Sequence, residues 1–181
     1  MALDYKPDNS KAGNIDIVHG AILSDHEGQP NTVRGAIDRR LKLGGAAEVN
    51  TRHALVLPCD AADLLYGVEE IIDDYQRRMI KDQRDLLTIT AVRFDPTMAR
   101  HRQFELARRF ALRSFAEKRN LATILIQHVP SELGYDHKPH VHLVAFSRTL
   151  QGSNWGAFTE VRNFGSRTVL AGEWAEILAA G

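Results

Sequence analysis

A single cysteine, Cys59, in 181 residues leaves no pair for an internal disulfide. The sequence therefore reads as a protein of a reducing compartment, the cytoplasm. An imbalance of charge is also missing. The 23 basic and 23 acidic side chains cancel, so net charge alone points to no polyanionic partner. Long apolar runs are absent too: the best of them, such as 122–126, fall far short of a bilayer's thickness and exclude a transmembrane helix. The opening Met-Ala-Leu-Asp-Tyr-Lys-Pro-Asp has no apolar core behind its positive charge, so no secretory signal is expected.

What is present has the composition of a soluble globular protein, 44% apolar and 25% charged. The length suits one domain with a proper core, expected to span 1–181. Charge is unevenly spread, because residues 91–119 carry 8 basic and 3 acidic side chains, a surplus of five. One basic stretch inside a neutral protein permits a nucleic-acid face without arguing for one.

Ile15 and Ile17 alternate with Asp16, which predicts a strand over 14–23, closed by the turn-rich 24–31. Residues 33–43 read as a short basic helix stopped by Gly44-Gly45, and 53–57 as a short strand closed by Pro58. Leu64, Leu65, Val68, Ile71, Ile72, Tyr75 and Met79 recur at helical spacing behind Asp60, predicting one long helix with an acidic outer face. A period of two over 86–92 predicts a strand, and Asp95-Pro96 opens a helix running to Arg119. Strands follow at 122–128 and 140–146, joined by a loop with no helical pattern and therefore read as antiparallel, and a helix over 168–180 closes the chain. The fold class is α/β (α+β): one mainly antiparallel sheet of about five strands flanked by helices.

Three of the eight histidines gather on the last two of these strands. His140 and His142 are two apart and share a face, and His128 ends the neighbouring strand. A His-x-His pair alone is more often structural than ligating. A third imidazole strengthens the metal reading, because three together can hold a divalent ion and leave positions open for substrate. His19, His26, His53 and His101 lack such company and read as solvent or capping residues, and Cys59 as buried and inert.

From 85 to 179 the chain resembles the MobA/MobL family of plasmid mobilisation relaxases, which belong to the HUH endonucleases. The resemblance rests on an ordered set: Leu106-Ala107-Arg108-Arg109-Phe110, a strand ending in His128, Pro139-His140-Val141-His142 with the apolar strand to Arg148, Trp155-Gly156, Thr159 and Arg162, and Trp174. It implies an antiparallel sheet with helices packed on it, and a metal centre of His128, His140 and His142 holding Mg²⁺ or Mn²⁺. It further implies nicking and strand transfer on single-stranded DNA at an origin of transfer, through a tyrosine that becomes linked to the 5′ end. Other mobilisation or relaxosome proteins are then partners.

The chain departs from the family over 1–60, where the family's Ala-Tyr-Arg nucleophile setting is missing. On position Tyr5 is the candidate nucleophile. Tyr66 and Tyr135 lie elsewhere, and Tyr75 belongs to an apolar stripe. Arg100, Arg102, Arg108, Arg109 and Arg113 form a candidate phosphate-tracking stripe, with Trp155 as a candidate for base stacking. The alternative function is a degenerate relaxase relative that binds DNA or serves as an accessory in plasmid transfer without the nucleophile. A replication initiator of the same class is disfavoured because no tyrosine follows Tyr135.

Overall fold

The computed structural model describes residues 4–41 and 52–180. In chain order its elements are β1 (Lys6–Pro7), β2 (Ile17–Leu23), β3 (Asp25–His26), β4 (Gln29–Pro30), α1 (Val33–Leu41), β5 (His53–Val56) and α2 (Val68–Arg77). There follow β6 (Asp85–Arg93), α3 (Arg100–Phe110), β7 (Thr123–His128), β8 (His140–Phe146), β9 (Arg148–Gln151), β10 (Asn154–Phe158) and α4 (Ser166–Ala179). The central sheet has six strands in the order β1-β2-β6-β8-β7-β5, and every neighbouring pair is antiparallel. The expected mixed α/β class with a central antiparallel sheet is what the chain forms, with six strands in that sheet rather than about five and two further antiparallel pairs, β3–β4 and β9–β10.

Alternation along the strands sorts their side chains onto two faces. Ile17, Val92, Leu125, Val141, Leu143 and Ala145 pack under α3 and α4 with Phe110, Phe115 and Trp174. Leu87, Ile89, Ile124, Ile126, Val144 and Phe146 pack under α1 and α2 with Ile37, Ile71 and Tyr75. The sheet is thus the middle of three layers, and each helical pair buries one stripe against it.

Several boundaries differ from the sequence expectation for identifiable reasons. The helix expected from Asp60 is split: a 3₁₀ turn at Asp63–Leu65 is followed by α2, which begins after Gly67 in an extended conformation and ends at Arg77. Asp95 does not cap α3. Its Oδ1 accepts from the Thr97 backbone N–H at 2.8 Å and hydroxyl at 2.6 Å, closing a turn before the helix starts at Arg100. After Phe110 the helix widens into a π segment, Ala111–Glu117, and Asn120 terminates it in the left-handed region, as expected of that residue. Of the basic helix expected over 33–43, α1 covers Val33–Leu41; the rest, with Gly44-Gly45, lies outside the described residues.

Two residues sit where the sequence did not place them. His19 is not a solvent residue but a core one, its Nδ1 2.8 Å from the Thr90 hydroxyl and its Nε2 2.7 Å from the Val161 carbonyl oxygen. Cys59 is exposed rather than buried. No helix among the described residues is long and apolar enough to cross a membrane.

Candidate metal centre

The register of β7 against β8 sets His128 directly opposite His140 and Ile126 opposite His142. Opposed residues share a face, as do residues two apart, so the three imidazoles converge on the α1/α2 side at one end of the sheet. Ring centroids lie 5.2 Å apart for His128–His140, 4.7 Å for His128–His142 and 4.8 Å for His140–His142. One ligand nitrogen from each lies within 4.8 Å of the others. Nitrogens that share one ion at about 2.1 Å from the same side lie roughly 3.0–3.4 Å apart, so the rings would draw together by up to about 1.5 Å to close the set around an ion.

The partners of the rings select which nitrogen is left bare. His128 Nε2–H donates to the Arg40 carbonyl oxygen at 2.7 Å, and His140 Nδ1–H donates to the Lys138 carbonyl oxygen at 3.0 Å. In neutral rings this leaves Nδ1 of His128 and Nε2 of His140 with lone pairs, in the manner of metal-ligating histidines held by backbone carbonyls. Nδ1 of His142 is buried with no hydrogen-bond partner, an unmet polar atom of the kind an ion or its water satisfies. Burial lowers all three pKa values, with the neighbouring imidazoles adding to the effect on His128 and His142. His128 is pushed down to about 4. Neutral imidazole is the ligating form.

These shifts make stability depend on pH. His19, His128, His140 and His142 are all depressed below 6.5, so the unfolded chain takes up their protons first as pH falls. Their stabilisation is present above about pH 6.5 and is lost as pH drops through the lowered folded values, toward 4 for His128. The unfolding free energy of the metal-free protein, read by urea titration, is expected to fall steeply between pH 6.5 and 4.5, by up to about 1.4 kcal/mol per pH unit for each histidine. A flat profile over that range would contradict the buried neutral state.

An open cavity of about 680 Å³ sits beside the cluster, lined by His140, His142, Tyr5, Arg93 and Lys138, with Asp16, Asp136 and His137 among its other walls. Arg93 and Lys138 both bind Asp16, at 3.1 and 2.9 Å, and with Asp136 the cavity wall carries two basic and two acidic side chains. His137 lines the cavity without joining the convergent set. Tyr5 is half-buried, and burial raises its phenol pKa against the opposing pull of Arg40 and Arg93.

Gly20 gives Tyr5 its place. A Cβ at position 20 would collide with the Tyr5 ring and with the Lys6 carbonyl across the β1–β2 pair. Gly20→Ala is expected to cost about 1–3 kcal/mol by overpacking and to lift Tyr5 off the sheet. Urea unfolding reads the first effect, and faster nitration of Tyr5 reads the second. Unchanged nitration would mean that the ring is held by something other than this contact.

The remaining sequence candidates are dispersed. Trp155 is a correction: it lies in β10 rather than a flexible loop and is 7% exposed. Its indole N–H donates to Asp74 at 2.9 Å, and its ring packs edge-on against Tyr75, so it is not available to stack on a base. The α3 arginines are exposed but on the layer opposite the histidines. Arg108 binds Glu105 through two nitrogens, Arg109 lies 3.8 Å from the same carboxylate, and Arg100 pairs with Glu132; Arg102 and Arg113 are exposed. Of the acidic residues on α2, Asp74 is buried, and Glu69 and Asp73 bind Arg34. None of them joins the convergent histidine set.

Sequence reasoning missed Asp4 and Arg40. Both Asp4 oxygens are gripped by Arg40, at 2.7 and 3.0 Å, and Arg39 adds two bonds at 2.9 and 3.0 Å. Burial disfavours the Asp4 charge, but Arg40 and Arg39 outweigh it and hold the carboxyl below its ordinary range. Residues 36 apart in sequence give no local signal of such a pair.

No family model matches the sequence, and no curated protein does. Among solved structures, one described as the molecular basis of vancomycin resistance transfer in Staphylococcus aureus is similar in fold, with a TM-score of 0.58 and 15% identity. The match covers 70% of this chain and 66% of that one, slightly less than two thirds of its length.

Proposed function

We propose that this protein is a relaxase-like, metal-dependent enzyme that nicks single-stranded DNA at a plasmid origin of transfer and carries out strand transfer there. The observation that carries the proposal is the convergence of His128, His140 and His142 beside a cavity that His140, His142 and Tyr5 line. The fold neighbour's description, a transfer of resistance, supports the same direction.

The three histidines fit a divalent ion: neutral rings, two of them oriented by carbonyls, and an unmet buried Nδ1. A bound Mn²⁺ or Mg²⁺ would supply Lewis-acid polarisation of the scissile phosphate. Three nitrogen donors suit Mn²⁺ better than the harder Mg²⁺, which prefers oxygen ligands. Mn²⁺ is therefore expected to support activity at lower concentration, checked by metal titration of the nicking rate.

The protein's own groups do the rest. Tyr5 attacks the phosphorus; a tyrosyl O–P bond forms, the P–O3′ bond breaks, and the phenolic proton passes through solvent to the departing 3′ oxygen. The 5′ end stays on Tyr5 until a free 3′ hydroxyl reverses the step. Arg93 and Lys138 on the rim hold neighbouring phosphates and orient the strand.

Incubation with labelled single-stranded origin oligonucleotides and Mn²⁺, followed by denaturing gel and peptide mapping, tests the proposal. A covalent adduct at a tyrosine supports it. Cleavage without an adduct assigns the attack to water. Binding without cleavage, with the native origin included, supports the degenerate relative, a reading favoured by the absence of any tyrosine from α1.

A further inference from the structure

We infer that Arg40 is a positioning residue that ties the Tyr5 segment to the metal ligand His128. The inference rests on the proposed function for its catalytic consequence, but its geometry is independent of it. The Arg40 guanidinium forks onto both oxygens of Asp4, the residue immediately before Tyr5, while the Arg40 carbonyl accepts from His128 Nε2–H. One residue thus contacts both halves of the proposed chemistry.

Strand pairing alone holds Tyr5 weakly. β1 is two residues long, and its second residue, Pro7, has no N–H to donate to the ladder. The grip on Asp4 replaces what the ladder lacks. Besides Arg40, Arg39 donates to Asp4 Oδ2, and Asn31 Nδ2 donates to the Asp4 carbonyl at 3.1 Å. The Arg40 side chain is nearly buried, and Nη1 also donates to the Ala36 carbonyl at 2.6 Å, which fixes the fork to its own helix. A bidentate guanidinium–carboxylate pair fixes orientation as well as distance.

The other link is a main-chain one: the Arg40 carbonyl, in the last described turn of α1, accepts from His128 Nε2–H at 2.7 Å. Its partial negative charge favours the proton on Nε2 of His128 and leaves Nδ1 free as a ligand. Arg40 therefore sets the ligand's tautomer through its carbonyl and the tyrosine's position through its side chain.

The two links separate experimentally. Asp4→Asn removes the charge from the Tyr5 link but leaves the main-chain bond to His128. With 3-fluorotyrosine incorporated throughout the full chain and the four resonances assigned by Tyr→Phe variants, the Tyr5 line is expected to shift and narrow in Asp4→Asn while the other three hold. Direct Mn²⁺ binding by calorimetry should stay within about twofold, and kcat for nicking should fall about 10–100-fold with KM unchanged, as for a lost orienting contact. Arg40→Ala, which also removes the bond to the Ala36 carbonyl that holds this turn of α1, should weaken Mn²⁺ binding as well, by about 10-fold or more. Arg40→Lys, which keeps the charge without the fork, should recover Mn²⁺ binding but not kcat. An unmoved Tyr5 resonance in Asp4→Asn overturns the inference, as does a loss of Mn²⁺ binding in that variant equal to the loss in Arg40→Ala. If wild type fails to nick, the proposed function fails, while the resonance and the metal affinities still decide the positioning role.

Discussion

His142→Leu should make the metal-free protein more stable and abolish its response to metal. Nδ1 of His142 is enclosed without a partner, and an unsatisfied buried nitrogen costs about 1–3 kcal/mol. Leucine is close in volume and meets Ala91 and Ile126, which face position 142 on the adjacent strands. It removes the polar atom without opening a large cavity. The thermal midpoint of the metal-free variant should rise by roughly 2–4 °C per kcal/mol gained. Wild type should gain stability on adding Mn²⁺, by mass action on a site that only the folded state offers, and the variant should gain none. Nicking should fall by at least on the order of 10²–10³, the scale of losing one group that stabilises charge in the transition state. A merely structural histidine would give the opposite pattern: lower stability on substitution and an unchanged response to Mn²⁺. Calorimetric melts with and without Mn²⁺ separate the two.

The gain and loss in that variant also explain which parts of the site the sequence could show. His128, His140 and His142 were legible because strand period and antiparallel register are local rules, and the pairing His128 with His140 follows from them. The core strands β6, β7 and β8 were legible for the same reason. The short edge pieces were not. β1 is Lys6–Pro7, too brief for any period, and β9 and β10 turn on Gly152 in a stretch of mostly polar residues. Nor does a helix's own sequence say which face of a sheet it covers. α3 has its apolar stripe as expected, yet it lies on the layer away from the histidines, so its arginines do not flank the histidine cluster. His19 was misjudged because Gly20 and Ala21 beside it blur the alternation that would have marked it as inward. The partners Asp4 and Arg40 meet only through the tertiary fold.

Tyr5→Phe should eliminate the covalent adduct and reduce nicking by on the order of 10³ or more, the scale of losing a nucleophile from a group that acts as a unit. The comparison among tyrosines makes the expectation specific. Tyr75 is fully buried; its hydroxyl donates to the Leu86 carbonyl and accepts from Gln83, and burial pushes its pKa to about 12. It cannot reach a strand of DNA without unfolding α2. Tyr66 and Tyr135 are 82% and 57% exposed, and neither lines the cavity beside the histidines. Tyr5 does, on the same face of the sheet as the three imidazoles. Tyr66→Phe and Tyr135→Phe should therefore retain the adduct, and Tyr75→Phe should lower stability by about 1 kcal/mol through its lost hydrogen bonds while retaining it. Mn²⁺ affinity in Tyr5→Phe should match wild type, because no ligand is touched. Peptide mapping of the adduct across the four variants gives the answer directly. Retention of the adduct in Tyr5→Phe, with its loss in Tyr135→Phe, would move the attack to the loop between β7 and β8. That loop begins at His128 and ends at His140, so the proposed metal site would survive the reassignment and only the route of the strand across it would change.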